Sequence, residues 1–237
     1  VLAGSVRWSG NRLRLTCRLT NVATGFQIWS ESYDREMAGV FELQDEMTRS
    51  IVEKLKVAWV DRLHPRRPHD LEAYHHCLRG RFYWSKRYQG GLSKAMEEFQ
   101  AALTRDPEYA LAYSGQADVY AFLGLYSLMP PQIAFNRAKE AADKALAFDD
   151  TLPEAHTSLG LIALSARWDW PAAEVEFMRA IDLDKTQALA HMYYAWLLAL
   201  ADRRSEAMVA IKRAQDVDPL SPLVNSGAGW MYFLLRD

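Results

Sequence analysis

The stretch EAMVAIKRAQDVDP, Glu206–Pro219, places Ala207, Ile211, Ala214 and Pro219 at intervals of 4, 3 and 5 residues. Intervals of 4 and 3 put the first three on one stripe of a helix. The proline then stops the helix, because it has no amide hydrogen to donate. The same spacing returns as Ala95, Phe99, Ala102, Pro107, as Ala173, Phe177, Ala180, Lys185, and more loosely as Ala138, Ala142, Ala145, Asp150. Successive ladders start 43, 35 and 34 residues apart. A period of that size marks a helical repeat in which each unit buries its apolar stripe against its neighbours.

Ahead of each ladder, and once more near the C-terminus, runs a helical stretch with a small residue and, usually, an aromatic three positions later. The pairs are Gly80/Tyr83, Ala117/Tyr120, Gly160/Ala163, Ala195/Leu198 and Gly229/Tyr232. A small residue lets two helix backbones come close, and the aromatic fills the space above it. This arrangement resembles the tetratricopeptide repeat, a 34-residue helix–turn–helix unit. Four complete repeats begin near Ala73, Ala110, Pro153 and Ala188, and a fifth begins near Pro222 and reads as cut. Lys185 and Asp150 depart from the usual proline, and Ala163 and Leu198 from the usual aromatic. The resemblance implies a mainly α fold: an α-solenoid of helix–turn–helix repeats preceded by a small α+β segment, a β-meander plus a helix.

The β-meander is read from residues 1–34. In RLRLTCRLT, Leu13, Leu15, Cys17 and Leu19 alternate with Arg12, Arg14, Thr16, Arg18 and Thr20. Period two means one wet and one buried face. The arginines read as a solvated face and Cys17 as a small core residue. Turns are expected at Ser9-Gly10-Asn11 and at Thr24-Gly25. Leu43, Met47, Ile51, Leu55 and Trp59 then recur every fourth residue, predicting an amphipathic helix. His64–His69, HPRRPH, breaks the pattern as a linker. The expected divisions are 1–63, 64–70 and 71–237. Residues 1–63 also resemble the later part of the TolB-like domain of bacterial multidomain regulators. That likeness implies an upstream effector: a winged-helix DNA-binding domain, a protein kinase or a class III nucleotide cyclase.

Composition narrows the chemistry. Lys and Arg number 28 against 30 Asp and Glu, a net charge of -2, so no basic field argues for nucleic acid. The uncharged run Ala188–Ala201 falls short of the roughly 20 apolar residues that a crossing helix needs, so no membrane insertion is expected. No signal peptide is seen, and a cytoplasmic location is favoured over a periplasmic one. The chain opens on Val1 and ends on Asp237 within a helical pattern, so both ends read as cut. Two cysteines make no disulfide framework.

His75-His76-Cys77 looks like a metal or nucleophile site. The repeat register gives a plainer account: His76, His156 and His191 fall at the same position of three repeats and read as inter-helix packing. Asp106, Asp149, Asp184 and Asp218 likewise recur one residue before the proline site, and belong to the inter-repeat turn. No nucleophile elbow, phosphate-cradling loop or zinc-protease helix is present. No catalytic residue, cofactor or metal is assigned, and the expected activity is protein–protein interaction.

First helices of such a solenoid line its concave face. The resemblance points Arg81, Trp84, Asp118, Phe122, Leu161, Met192 and Trp196 into that groove, with Cys77 and Ser114 at neighbouring positions. The groove is expected to be apolar in its C-terminal half and to take an apolar or helical protein ligand rather than an acidic tail. Extra residues between the small position and the ladder are expected to form the turns within each pair. There Tyr88, Tyr126, Met129, Trp168 and Trp170 form a second candidate contact edge. A homo-oligomer is left open. The functional expectation is the interaction arm of a bacterial signalling or transcription regulator. The alternatives are a regulatory module of a larger kinase or cyclase, or a free-standing scaffold.

Overall fold

The computed structural model describes residues 2–10, 12–20, 27–36, 43, 46, 47, 50, 70–86 and 90–235. The chain divides into two compact units, Val1–Leu63 and His64–Asp237. In the first, β1 (Leu2–Ser9), β2 (Arg12–Thr20) and β3 (Gln27–Glu36) form an antiparallel sheet in the order β1-β2-β3. Leu13, Cys17 and Leu19 are buried, as the alternation requires. Leu13 joins Tyr33 and Leu43 in a small core edged by Trp29 and Met47. The arginine face is held by one carboxylate: Arg12 and Arg14 both reach Asp34, at 2.9 and 2.7 Å. Burial raises the Cys17 thiol above its usual value, which suits an inert core residue. The Thr24-Gly25 turn, residues Ile51, Leu55 and Trp59 of the expected helix, and the HPRRPH linker lie outside the described residues.

The second unit is helical. Among the described residues it holds α1 (Leu71–Ser85), α2 (Gly91–Arg105), α3 (Ala110–Leu125), α4 (Pro131–Phe148) and α5 (Pro153–Ile162). These are followed by α6 (Trp170–Leu183), α7 (Ala188–Leu200), α8 (Arg204–Val217) and α9 (Pro222–Leu235). Helices α3, α5, α7 and α9 begin at Ala110, Pro153, Ala188 and Pro222, and α1 begins two residues before Ala73. The helices pair as α1/α2, α3/α4, α5/α6 and α7/α8, with α9 packed on α7 and α8.

The ladder is the core. All its helical members are wholly buried: Ala95, Phe99 and Ala102 on α2; Ala138, Ala142 and Ala145 on α4; Ala173, Phe177 and Ala180 on α6; Ala207, Ile211 and Ala214 on α8. The small residues on the first helices receive the bulky ladder residue. A Cβ placed on Gly80 would stand 2.6 Å from the Phe99 ring, and one on Gly115 would also strike that ring. One phenylalanine is thus wedged between two helices at positions where neither has a side chain. Gly160 receives Phe177 in the same way. In the second repeat Ala117 packs with the ladder residue Ala142, and Gly124 receives the Phe135 ring.

Asp106, Asp149, Asp184 and Asp218 each follow a second helix, and their amides close its last turn on Ala102, Ala145, Ala180 and Ala214. Three of the carboxylates also accept from the turn beyond: Glu108 N donates to Asp106, Thr151 N to Asp149 and Thr186 N to Asp184. These acids are spent on turn geometry.

The insertions of the second and third repeats behave differently from expectation, while that of the first falls mostly between Ser85 and Gly91. In the second repeat the extra residues lengthen the helices themselves, to 16 and 18 residues in α3 and α4, leaving a short connection between Leu125 and Pro131. The third repeat is one residue longer than the fourth between its small position and its ladder alanine. Helix α5 absorbs that residue as a π-helical turn, Ala163–Arg167, the usual result of a single insertion in a helix. Among the described residues, each turn within a pair holds one left-handed residue: Gly90, Ser127, Trp168 and Asp202, with φ of 79°, 53°, 54° and 57°. Only the first is the glycine that such a backbone favours.

Candidate functional site: the concave groove

The first helices α1, α3 and α5 meet around a cavity of about 70 Å³. Arg81 and Trp84 come from α1, Ser114 and Asp118 from α3, and Glu154 and Thr157 from α5, with Leu111 and Leu189 on the walls. Arg81 donates to Glu154 at 3.1 Å, a pair that joins the first repeat to the third. Burial alone would make Arg81 easier to deprotonate, but the Glu154 carboxylate outweighs it and holds the guanidinium more basic than usual. Asp118 accepts from Ser158 Oγ at 2.6 Å. The Thr157 hydroxyl is turned back onto the Pro153 carbonyl at 2.8 Å. Ser114 is 1% exposed, and its Oγ has no hydrogen-bond partner among the described residues.

The sequence-derived groove residues divide into two groups. Arg81, Trp84 and Asp118 line the cavity. Phe122 stands beside it, edge-on to Trp84 at 5.5 Å. Leu161 and Met192 do not face a partner: they are 3% and 0% exposed and form part of the large C-terminal core. Met192 is covered because Gly227 of α9, lacking a side chain, sits directly on its sulfur. Trp196 is half-buried against Tyr193 at 5.4 Å, and its Nε1 has no partner among the described residues. Two expected apolar groove members, Leu161 and Met192, are thus taken into the core, while the cavity sets the charged Arg81, Asp118 and Glu154 beside the apolar Trp84, Leu111 and Leu189. Cys77 is also buried rather than groove-facing, and burial pushes its thiol up to about 11, out of the nucleophilic range. Glu154 was missed altogether. It lies in the first turn of α5, and nothing in a chain read locally signals a partner on Arg81, 73 residues away.

Of the edge-loop residues, Trp168 is 71% exposed and Tyr126 50%. Tyr126 leans on Phe122 at 4.4 Å. Met129 is half-buried, and Trp170 packs at the rim of the core as the first residue of α6. Tyr88 lies outside the described residues.

The three histidines at the shared repeat position are each tied to a partner. His76 Nδ1 lies 2.7 Å from Glu98, and His156 Nδ1 lies 2.7 Å from Glu176. Each pair joins the first helix of a repeat to its second. Arg79 completes the first group, with its guanidinium 3.0 Å from Glu98 and 2.8 Å from His76. A cation would meet that guanidinium before it met the imidazole. His191 instead contacts the Lys185 carbonyl at 3.1 Å. No group of three or more metal-ligating side chains converges among the described residues. None of the described helices is long and apolar enough to cross a membrane.

No family model matches the chain. It is 31% identical over 167 residues to a putative adenylate cyclase 3 of Rhizobium meliloti, which takes in 68% of this chain and 28% of that protein. It is 27% identical over 142 residues to the transcriptional regulator HilA of Salmonella typhimurium, 60% of this chain and 26% of that protein. The chain thus spans about a quarter of the length of these relatives. Among solved structures, a thermophilic TPR protein of Thermus thermophilus matches with a TM-score of 0.55 at 16% identity, over 83% of this chain and 95% of that one. The fold is a tetratricopeptide-repeat solenoid. Pseudomonas aeruginosa PilF matches with a TM-score of 0.50 at 16% identity, over 70% of this chain and 69% of that one.

Proposed function

We propose that this chain is a non-catalytic protein-interaction module, the binding arm of a larger bacterial signalling or transcriptional regulator. The observation that carries the reading is the contrast within the solenoid. Its ladder is completely closed, while three repeats leave open on their first helices a cavity where Arg81, Asp118 and Glu154 stand beside apolar walls. Packing alone does not explain a buried, unpartnered serine hydroxyl there. The β-meander supports the reading of residues 1–63 as the later part of a TolB-like domain, and the relatives are several-fold longer proteins, one named a transcriptional regulator and one a putative adenylate cyclase. Chemistry on bound substrate has no support in the groove: its acids are engaged by Arg81 and Ser158, and the one cysteine near it is held protonated by burial.

The test is capture of a native partner on the intact chain, followed by its identification and a measured Kd. Trp84→Ala and Trp168→Ala are expected to weaken that Kd about tenfold or more, as loss of an aromatic anchor does, with the helical circular dichroism unchanged. Failure to retain any partner, or turnover of nucleotide by this chain alone, overturns the reading.

A second reading, a regulatory module of a nucleotide cyclase, is favoured by the cyclase relative. It requires cyclase output of the intact protein to change when the groove is blocked, and unchanged output removes it.

A further inference from the structure

The groove reading above leaves the ligand's chemistry open, and the cavity itself supplies it. Three charged side chains line it: Asp118 and Glu154 are acidic and Arg81 is basic, leaving a net charge of -1. The single base is already committed to Glu154. Ser114 Oγ adds a buried polar atom with no partner among the described residues. Trp84 and Leu111 make the rest of the wall apolar.

From this we infer that the cavity takes the side chain of a lysine, presented by a peptide segment of the partner. The inference rests on the interaction-module reading. The ammonium settles among Asp118, Glu154 and the Ser114 hydroxyl, each an acceptor for one of its three N–H donors. The methylenes lie against Trp84 and Leu111, where a long cationic side chain buries its stem while its head is hydrogen-bonded. Size agrees. A cavity of about 70 Å³ holds roughly five water-sized groups at about 10–15 Å³ each, which matches four methylenes and a nitrogen. A guanidinium fits less well, because its planar head is bulkier than an ammonium in a cavity of about 70 Å³. An acidic side chain meets two carboxylates and a guanidinium that is already neutralised. Arg81 acts against the ligand: paired with Glu154, it attenuates the negative field and keeps the empty cavity stable.

The experiment uses the intact chain, immobilised, with four random-sequence octapeptide pools whose central residue is fixed as Lys, Arg, norleucine or Glu. Norleucine has a similar apolar stem without the charge. The lysine pool is expected to be retained about tenfold over norleucine and more over glutamate, as for a charge-assisted contact in a partly desolvated site. Arg81→Gln should raise lysine retention several-fold, because it removes the competing cation. Ser114→Ala should lower lysine retention toward norleucine without lowering Tm, since that hydroxyl has no partner to lose; Asp118→Asn should do the same to retention. If Asp118→Asn fails to fold for want of the Ser158 contact, Ser114→Ala and Arg81→Gln carry the test. Pools retained without preference for lysine, an arginine pool that matches it, or weaker lysine retention by Arg81→Gln overturns the inference and leaves the interaction reading standing. Retention of no pool at all overturns both.

Discussion

Gly80 and Gly229 hold the same position in the first and fifth repeats, and the two ends of the solenoid treat them in opposite ways. At Gly80 a methyl group would drive into the Phe99 ring; at Gly229 nothing lies within 4 Å. Around Gly80 the neighbouring positions are paired, with His76 on Glu98 and Arg79 on the same carboxylate. Around Gly229, α9 shows Trp230, Phe233 and Leu234 at 61%, 73% and 55% exposure. The residue is the same and its meaning differs. A small residue in a first helix is required only where a second helix delivers a bulky side chain to it.

The sharpest way to break that comparison is to remove the side chain that makes Gly80 necessary. Phe99→Ala should cost about 3–5 kcal/mol, since its ring is the knob for both Gly80 and Gly115 and neither helix has a Cβ to collapse into the hole. Chemical denaturation followed by circular dichroism reads it. A loss under about 1 kcal/mol would show that the repeats do not interlock through this ring.

Gly80→Ala comes next, and Gly160→Ala should match it. Each forces a methyl into a closed contact, and overpacking of this kind costs about 1–3 kcal/mol. A Gly80→Ala protein as stable as the parent would mean that the first pair can spread, and would end the equivalence drawn between the first and third repeats.

Glu98 gives a smaller effect with a pH signature. Burial pushes its carboxyl up, but hydrogen bonds from His76 and Arg79 outweigh burial and leave it below the usual value. A carboxylate depressed in the folded state stabilises above its unfolded pKa of about 4.3. That contribution fades as pH falls through the folded value. Glu98→Gln should therefore cost about 1 kcal/mol at pH 7, and the gap to the parent should narrow on acidification below about pH 4. A gap that is constant with pH would mean the pairing contributes nothing through charge.

Gly229→Ala is the mildest and has the opposite sign. With open space around it, the methyl should raise stability by about 0.5 kcal/mol through helix propensity alone. Destabilisation would reveal a contact at α9 in solution and would erase the contrast with Gly80.

The repeat was legible because its signal is redundant. Twelve ladder positions recur in phase, and all twelve are buried. The starts of α3, α5, α7 and α9 follow from the same register. So do the turn aspartates and the inter-helix histidine positions, where His76 and His156 are hydrogen-bonded ties to Glu98 and Glu176. The groove was legible only in part. Helix register says which way Leu161 and Met192 point from their own helices. It does not say that Gly227 will lie on Met192, because that depends on how far one repeat is rotated on the next.

The amino-acid sequence by itself thus determined the helix–turn–helix repeat, its phase, the closed ladder and the alternating β-meander. All of these follow from spacing along one chain, where a period of 2 or of about 3.6 fixes a face. Only the tertiary structure decided which groove residues stay open, that an inserted residue becomes a π turn before Trp168, and that Arg81 meets Glu154 beside an unpartnered Ser114. Those features arise from the superhelical stacking of separate repeats. The stacking is set by the volumes of side chains such as Phe99 and Phe177 against the glycines that receive them, and sequence periodicity carries no measure of that distance or angle.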